Sequence, residues 1–182
     1  VEPTHGPEPA VGAPTEPQER RLYEAIWALT SELSLDLVLQ KVTDLSRELV
    51  GAKYGALGVL GEGGWLARFV TSGISRRDRD RIGGFPEGKG ILGMELQKGQ
   101  VLRLADLTQH PRAVGVPPFH PEMKSFLGVP IVFKDRVLGN LYLTNKIGAK
   151  EFSQDDETLV TLFSAQAAVA IENARLFENE SR

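Results

Sequence analysis

The chain contains no cysteine. That absence excludes thiol catalysis, thiolate-held zinc, iron–sulfur clusters, c-type haem attachment and thioether-linked bilins. Histidine is scarce as well, with three in 182 residues, too few for a convincing metal cluster. An excess of charge of one sign is also missing. The 21 basic and 24 acidic residues leave a net charge of -3, which gives no nucleic-acid footprint. No apolar run approaches the roughly 20 residues of a membrane span, and no signal peptide is visible. Walker A, G-x-S-x-G and kinase-core signatures are lacking too. These absences point to a non-catalytic domain of the cytoplasm.

What is present is ordinary globular material, 41% hydrophobic and 25% charged. A chain of this length can bury about two-thirds of its unfolded surface without a metal or disulfide. Residues 1–17 hold five of the 11 prolines, and His5. They read as a disordered leader or linker. Residues 18–178 form the domain, and 179–182 are a tail leading to an output domain.

Leu22, Ile26, Leu29 and Leu33 recur on one face of a first helix. Ser34 is placed to cap a second, with Leu35, Val38, Leu39, Val42, Leu45 and Leu49 inward and Gly51 as its stop. Tyr54–Leu60 and Trp65–Thr71 are strands about a glycine-rich turn. Ser75–Ile82 is a charged surface helix, and Val101–Leu104 a strand. Phe126–Phe133 and Val137–Asn145 form a hairpin around Lys134-Asp135-Arg136. Ser153-Gln154-Asp155-Asp156 fits a capping box, opening a helix of nearly thirty residues. A helix that long exceeds the needs of its own core, as dimer and signalling helices do. Ala105–Lys124 shows no periodicity, and a twenty-residue structureless stretch inside a domain marks a functional loop. The order implies an α+β sandwich.

Gly88-Lys89-Gly90-Ile91-Leu92-Gly93 satisfies G-x-G-x-x-G, but a turn precedes it and Asp106 is 13 residues on, so it reads as a tight turn. Asn145-Lys146…Phe152-x-x-x-Asp156-Glu157 carries more. Lys146 can pair with Asp156 and pin the strand–helix corner over a packed Phe152. The same spacing resembles the pattern of cyclic-nucleotide-binding GAF domains.

The chain as a whole resembles GAF domains. Gly115–Thr144, with PEGKGILG, LADLTQHPRAVG and AIENARLFE, is most similar to the haem-binding first GAF domain of the dormancy-survival (DosS/DosT-type) oxygen and redox sensor histidine kinases. The resemblance implies an antiparallel sheet of five or six strands, with the terminal helices on one face and a ligand-pocket loop on the other. It implies haem b, with His120 as the proximal iron ligand and Tyr142 as the distal group beside a bound diatomic gas. Phe119, Met123, Phe126, Leu127, Ile91, Leu92 and Met94 are then the apolar candidates for macrocycle contacts. Residue chemistry agrees: Pro121 stiffens the backbone at His120, and Tyr142 alternates with Leu141 and Leu143 on its strand. The resemblance further implies a homodimer through the terminal helices and a kinase domain downstream in the same chain. Two other readings stay open: a haem-free dimerisation module, and a GAF domain for a cyclic nucleotide or another metabolite.

Overall fold

The computed structural model describes residues 16–61, 63, 66–82, 99–109 and 122–181. In chain order the elements are α1 (Glu16–Leu29), α2 (Leu35–Val50), β1 (Ala52–Leu60), β2 (Leu66–Ser72), α3 (Arg76–Ile82), β3 (Leu102–Leu104), β4 (Phe126–Phe133), β5 (Arg136–Lys146) and α4 (Gln154–Glu180). Among the described residues the strands form one five-stranded sheet, ordered β2-β1-β5-β4-β3 and antiparallel at every pairing.

The helical periodicity of α2 puts Val38, Leu39 and Val42 wholly inside. They meet Leu57 and Val59 of β1, Leu127, Val129 and Ile131 of β4, and Leu141 and Leu143 of β5. Leu159, Phe163 and Ile171 of α4 close the same core, and Leu22 and Leu29 bring in α1. The terminal helices therefore share one face of the sheet, as the sequence implies. Gly51 ends α2 in the left-handed region at φ 67°, its N–H donating to the carbonyls of Arg47 and Glu48.

Two local expectations need correction. Leu33 does not continue the buried stripe of α1: that helix stops at Leu29, and Leu33 is exposed. Thr30 turns the chain by donating both its N–H and its hydroxyl to Trp27 O. Ser34 occupies the position before α2, but its side chain makes no cap. The Glu32 carboxylate accepts from the N–H groups of Leu33 and Ser34 instead. The bond from Ser34 N–H is the main cause that holds the Glu32 carboxyl below the usual range.

Lys134 and Asp135 both adopt positive φ, 47° and 62°, forming the two-residue turn that matches hairpin twist. Arg136 already belongs to β5. The capping box at Ser153 is formed: its hydroxyl accepts from Asp156 N–H, and Asp156 accepts from Ser153 N–H. The short edge strand β3 is fastened to this corner by Arg103, which donates to Glu157 Oε2 at 2.9 Å and to Phe152 O at 3.2 Å.

Candidate functional site

The sheet face opposite the helices carries Tyr142 and Phe126, two of the sequence-predicted site residues. Residues paired across an antiparallel ladder share a face. The register aligns Ala56, Tyr142 and Gly128 in one row, and Tyr54, Thr144 and Phe126 in the next. A third row holds Gly58, Asn140 and Pro130, with Phe69 beyond Gly58 on β2. Tyr142 thus stands between two paired neighbours with almost no side chain. A Cβ at Gly58 would lie 2.9 Å from Leu66 Cδ1 and 3.9 Å from Tyr142 Cε2, so Leu66 already takes up the room there.

Around Tyr142 the face is apolar. Phe126 and Leu107 are buried in a small cluster, separate from the main core, that takes in Leu102, Leu104, Met123 and Tyr142. The Phe126 and Tyr142 rings lie 6.3 Å apart at 32°. Burial pushes the Tyr142 phenol up to about 12, against the opposing hydrogen bond from the Asn140 side chain. Near neutral pH the phenol is therefore a protonated donor in an apolar setting. In the adjoining row, Thr144 is 4% exposed, and its Oγ1 has no hydrogen-bond partner among the described residues.

Of the sequence-predicted site residues, the structure brings Tyr142, Phe126 and Met123 together. It places Leu127 elsewhere. Leu127 pairs with Leu143 and packs into the core on the helix side, because strand alternation turns it away from Phe126. His120, Phe119, Ile91, Leu92 and Met94 lie outside the described residues, as do His110 and the 88–93 glycine motif. Among the described residues no cluster of three or more His, Asp or Glu could hold a metal ion.

Asn145 is a positioning residue that periodicity did not reveal. It sits at φ 61°, a left-handed conformation that Asn tolerates better than most residues. From there Oδ1 accepts from Lys124 N–H at 2.8 Å and Nδ2 donates to Glu122 O at 2.7 Å. Its own N–H donates to Ser125 O. The segment leading into β4, immediately after His120-Pro121, is thereby tied to the end of β5. The available signal was an Asn closing a strand ahead of a Lys.

The next residue faces the other way. Lys146 Nζ donates to Val50 O at 2.6 Å and lies 3.1 Å from Asp156 Oδ2. Phe152 is wholly buried beneath. The corner that the sequence spacing implies is formed.

An antiparallel sheet with helices on one face and a part-apolar face opposite defines an α+β fold. A model of the GAF domain matches residues 32–172, and the chain belongs to that family. The GAF domain of an Acinetobacter phosphoenolpyruvate-protein phosphotransferase matches with a TM-score of 0.71 at 20% identity, covering 89% of this chain and 96% of the other. The corresponding domain from Coxiella burnetii gives 0.74 at 20% identity, with the same 89% and 96% coverage. A free methionine-R-sulfoxide reductase from Neisseria meningitidis, solved with its substrate, gives 0.65 at 15% identity over 90% and 95% of the two chains. Likeness at these identities establishes the fold. GAF domains are ligand-binding signalling modules, typically regulatory and non-catalytic. No helix among the described residues is long and apolar enough to cross a membrane.

Proposed function

We propose that this GAF domain is the ligand-sensing input module of a cytoplasmic sensor histidine kinase, and that its ligand is haem b, held by His120. The observation that carries the reading is Tyr142: a largely buried phenol set among Phe126, Met123, Leu102 and Leu104 on the face away from the helices. A flat, mostly apolar group suits that surface, where the residues paired with Tyr142 on either side, Ala56 and Gly128, are small. Thr144, buried in the next row with no hydrogen-bond partner among the described residues, adds a polar group on the same face. Haem, when bound by His120, would supply an iron able to take O₂, NO or CO.

The chain's own residues have distinct tasks in this reading. Tyr142 holds its proton at Oη and offers one hydrogen bond to a polar atom arriving at the face. Phe126 fixes the ring's tilt and, with Met123, excludes water. Asn145 and Lys146 then link the segment after His120, the end of β5 and the first turn of α4. A ligand that favours one placement of that junction over another biases α4 and a kinase domain beyond it, and only such a difference transmits anything.

The test is the absorption spectrum of the protein titrated with hemin, with His120→Ala and Tyr142→Phe alongside. The expected result is a sharp Soret band of one equivalent that His120→Ala loses and Tyr142→Phe keeps, with gas release from the Tyr142→Phe protein accelerated. A protein that takes up no hemin, or a band untouched by His120→Ala, overturns the haem assignment.

A further inference from the structure

Leu66 and Arg68 are two residues apart on β2, a spacing that on an unbroken strand puts both side chains on one face. Here they face opposite ways. Val59 pairs with Arg68 and Leu60 with Leu66, so Ala67 is an extra residue and the register slips at a β-bulge. Leu66 lies on the face of Tyr142, its Cδ1 2.9 Å from the place a Cβ on Gly58 would take. Arg68 lies on the helix side. It pairs with Asp36 in the first turn of α2 and, at 3.8 Å, with Glu178 near the end of α4. The bulge also holds α4 through the backbone, since Leu60 O accepts from Arg175 Nη2 at 3.0 Å. Arg175 Nη1 reaches Glu172 Oε1 at 3.4 Å, and Arg136 Nη2 meets the same oxygen at 3.0 Å.

The two ends of α4 are held differently. Its first turn is fixed by the capping box and by the withdrawn Lys146–Asp156 pair. Toward the other end the holding side chains are more open to water, with Arg68, Glu178 and Arg175 36%, 33% and 26% exposed. Ion pairs that open are screened and contribute little, so this is the end that yields to a small displacement.

We propose that the bulge at Leu60 and Ala67 couples the Tyr142 face to the far end of α4. A ligand seated beside Tyr142 displaces Leu66, the bulge shifts with it, and Leu60 O and Arg68 release Arg175 and Glu178. The proposal rests on the reading of the Tyr142 face as a ligand surface, and on no particular ligand. A bulge has two arrangements available, with the extra residue in or out of register, and a ligand that binds one better shifts the balance.

Gly58→Ala tests this without a ligand. Its added methyl meets the far end of the Leu66 side chain and makes only ordinary contacts with Phe69 and Tyr142. Hydrogen exchange should quicken about 10-fold at residues 172–177, the loss of one hydrogen bond, and stay unchanged at 158–163. Gly58→Ala/Leu66→Ala should return to the wild-type rate. Arg175→Met should exchange fast from the start and gain nothing more from Gly58→Ala. Wild-type exchange in Gly58→Ala, an equal rise along all of α4, or no rescue by Leu66→Ala overturns the coupling. Hemin is the ligand probe. A Soret band with unchanged exchange at 172–177 overturns the coupling too. Absence of the band refutes the haem assignment alone, and the Gly58→Ala series still decides the coupling.

Discussion

Lys146, the last residue of β5, reaches Asp156 in the first turn of α4, Nζ to Oδ2 3.1 Å, and both side chains are largely withdrawn from solvent. The pair is also fully hydrogen-bonded. Lys146 donates to Val50 O, and Asp156 accepts from Ser153 N–H. Removing one member of such a pair leaves the other desolvated and unpaired. Lys146→Met should therefore lower unfolding free energy by about 3 kcal/mol, with part recovered in the Lys146→Met/Asp156→Asn double variant. Urea unfolding of the four proteins of the cycle measures this. A loss below about 0.5 kcal/mol would rank the pair with ordinary surface bridges.

That corner was readable in the sequence because each part is local: a cap three residues before its partner, a Phe just ahead of the cap, and a Lys closing a strand. The hairpin and the two helical stripes were readable for the same reason, since periods of 3.6 and 2 report directly which side is buried. Leu127 shows where the reading stopped. The family resemblance put Leu127 and Phe126 in one site, while the two-residue alternation of the strand sends them to opposite faces. Leu33 failed through the Thr30 turn, which breaks the helix without a Gly or Pro to announce it. The small neighbours of Tyr142 were invisible because strand register, a long-range property, puts Ala56 and Gly128 beside it.

Burial raises the Tyr142 phenol to about 12. In the unfolded chain a tyrosine titrates near 10. The folded state therefore holds this proton more tightly, and its contribution to stability is complete below pH 10. It is lost as pH rises from about 10 toward about 12, at most about 1.4 kcal/mol for each unit. Tyr142→Phe should flatten that decline. Tyrosinate absorbance should show the same variant missing the latest phase of ionisation. If the variant and wild type lose stability in parallel across this window, the phenol is not the group responsible.

Two glycines should respond to alanine in opposite degrees. A Cβ at Gly139 would run into the backbone carbonyl of Gly58, far inside van der Waals contact. No side chain can swing aside to relieve it, so β1 and β5 would have to separate at the centre of the sheet. Gly139→Ala should lower stability by about 3 kcal/mol or more, within the range of overpacked cores. Gly51 has positive φ but open space around its Cβ position. Gly51→Ala should lose only about 1 kcal/mol, the strain of a left-handed alanine. Thermal unfolding of both variants tests the ordering, and a milder Gly139 variant would mean the sheet bends there.

Thr144 and Ser164 each bury a hydroxyl with no partner among the described residues, one on the face of Tyr142 and one on the core side of α4. A buried polar group that makes no hydrogen bond opposes folding, so its replacement by an apolar group of similar shape should stabilise. Thr144→Val should raise unfolding free energy by about 1 kcal/mol, helped by the strand preference of valine. Ser164→Ala should rise by a similar amount, with alanine's helix propensity contributing. If the proposed haem is the ligand, the two should part company in the presence of hemin. Ser164 lies in the helix-side core, so its variant should bind as wild type does, whereas a hydroxyl kept on the ligand face against its own desolvation is expected to recover that loss in a contact. Thr144→Val should then weaken uptake by about 5- to 10-fold, which is one ordinary hydrogen bond. Equal binding by both variants would make Thr144 a packing residue and leave Tyr142 as the polar group of that face.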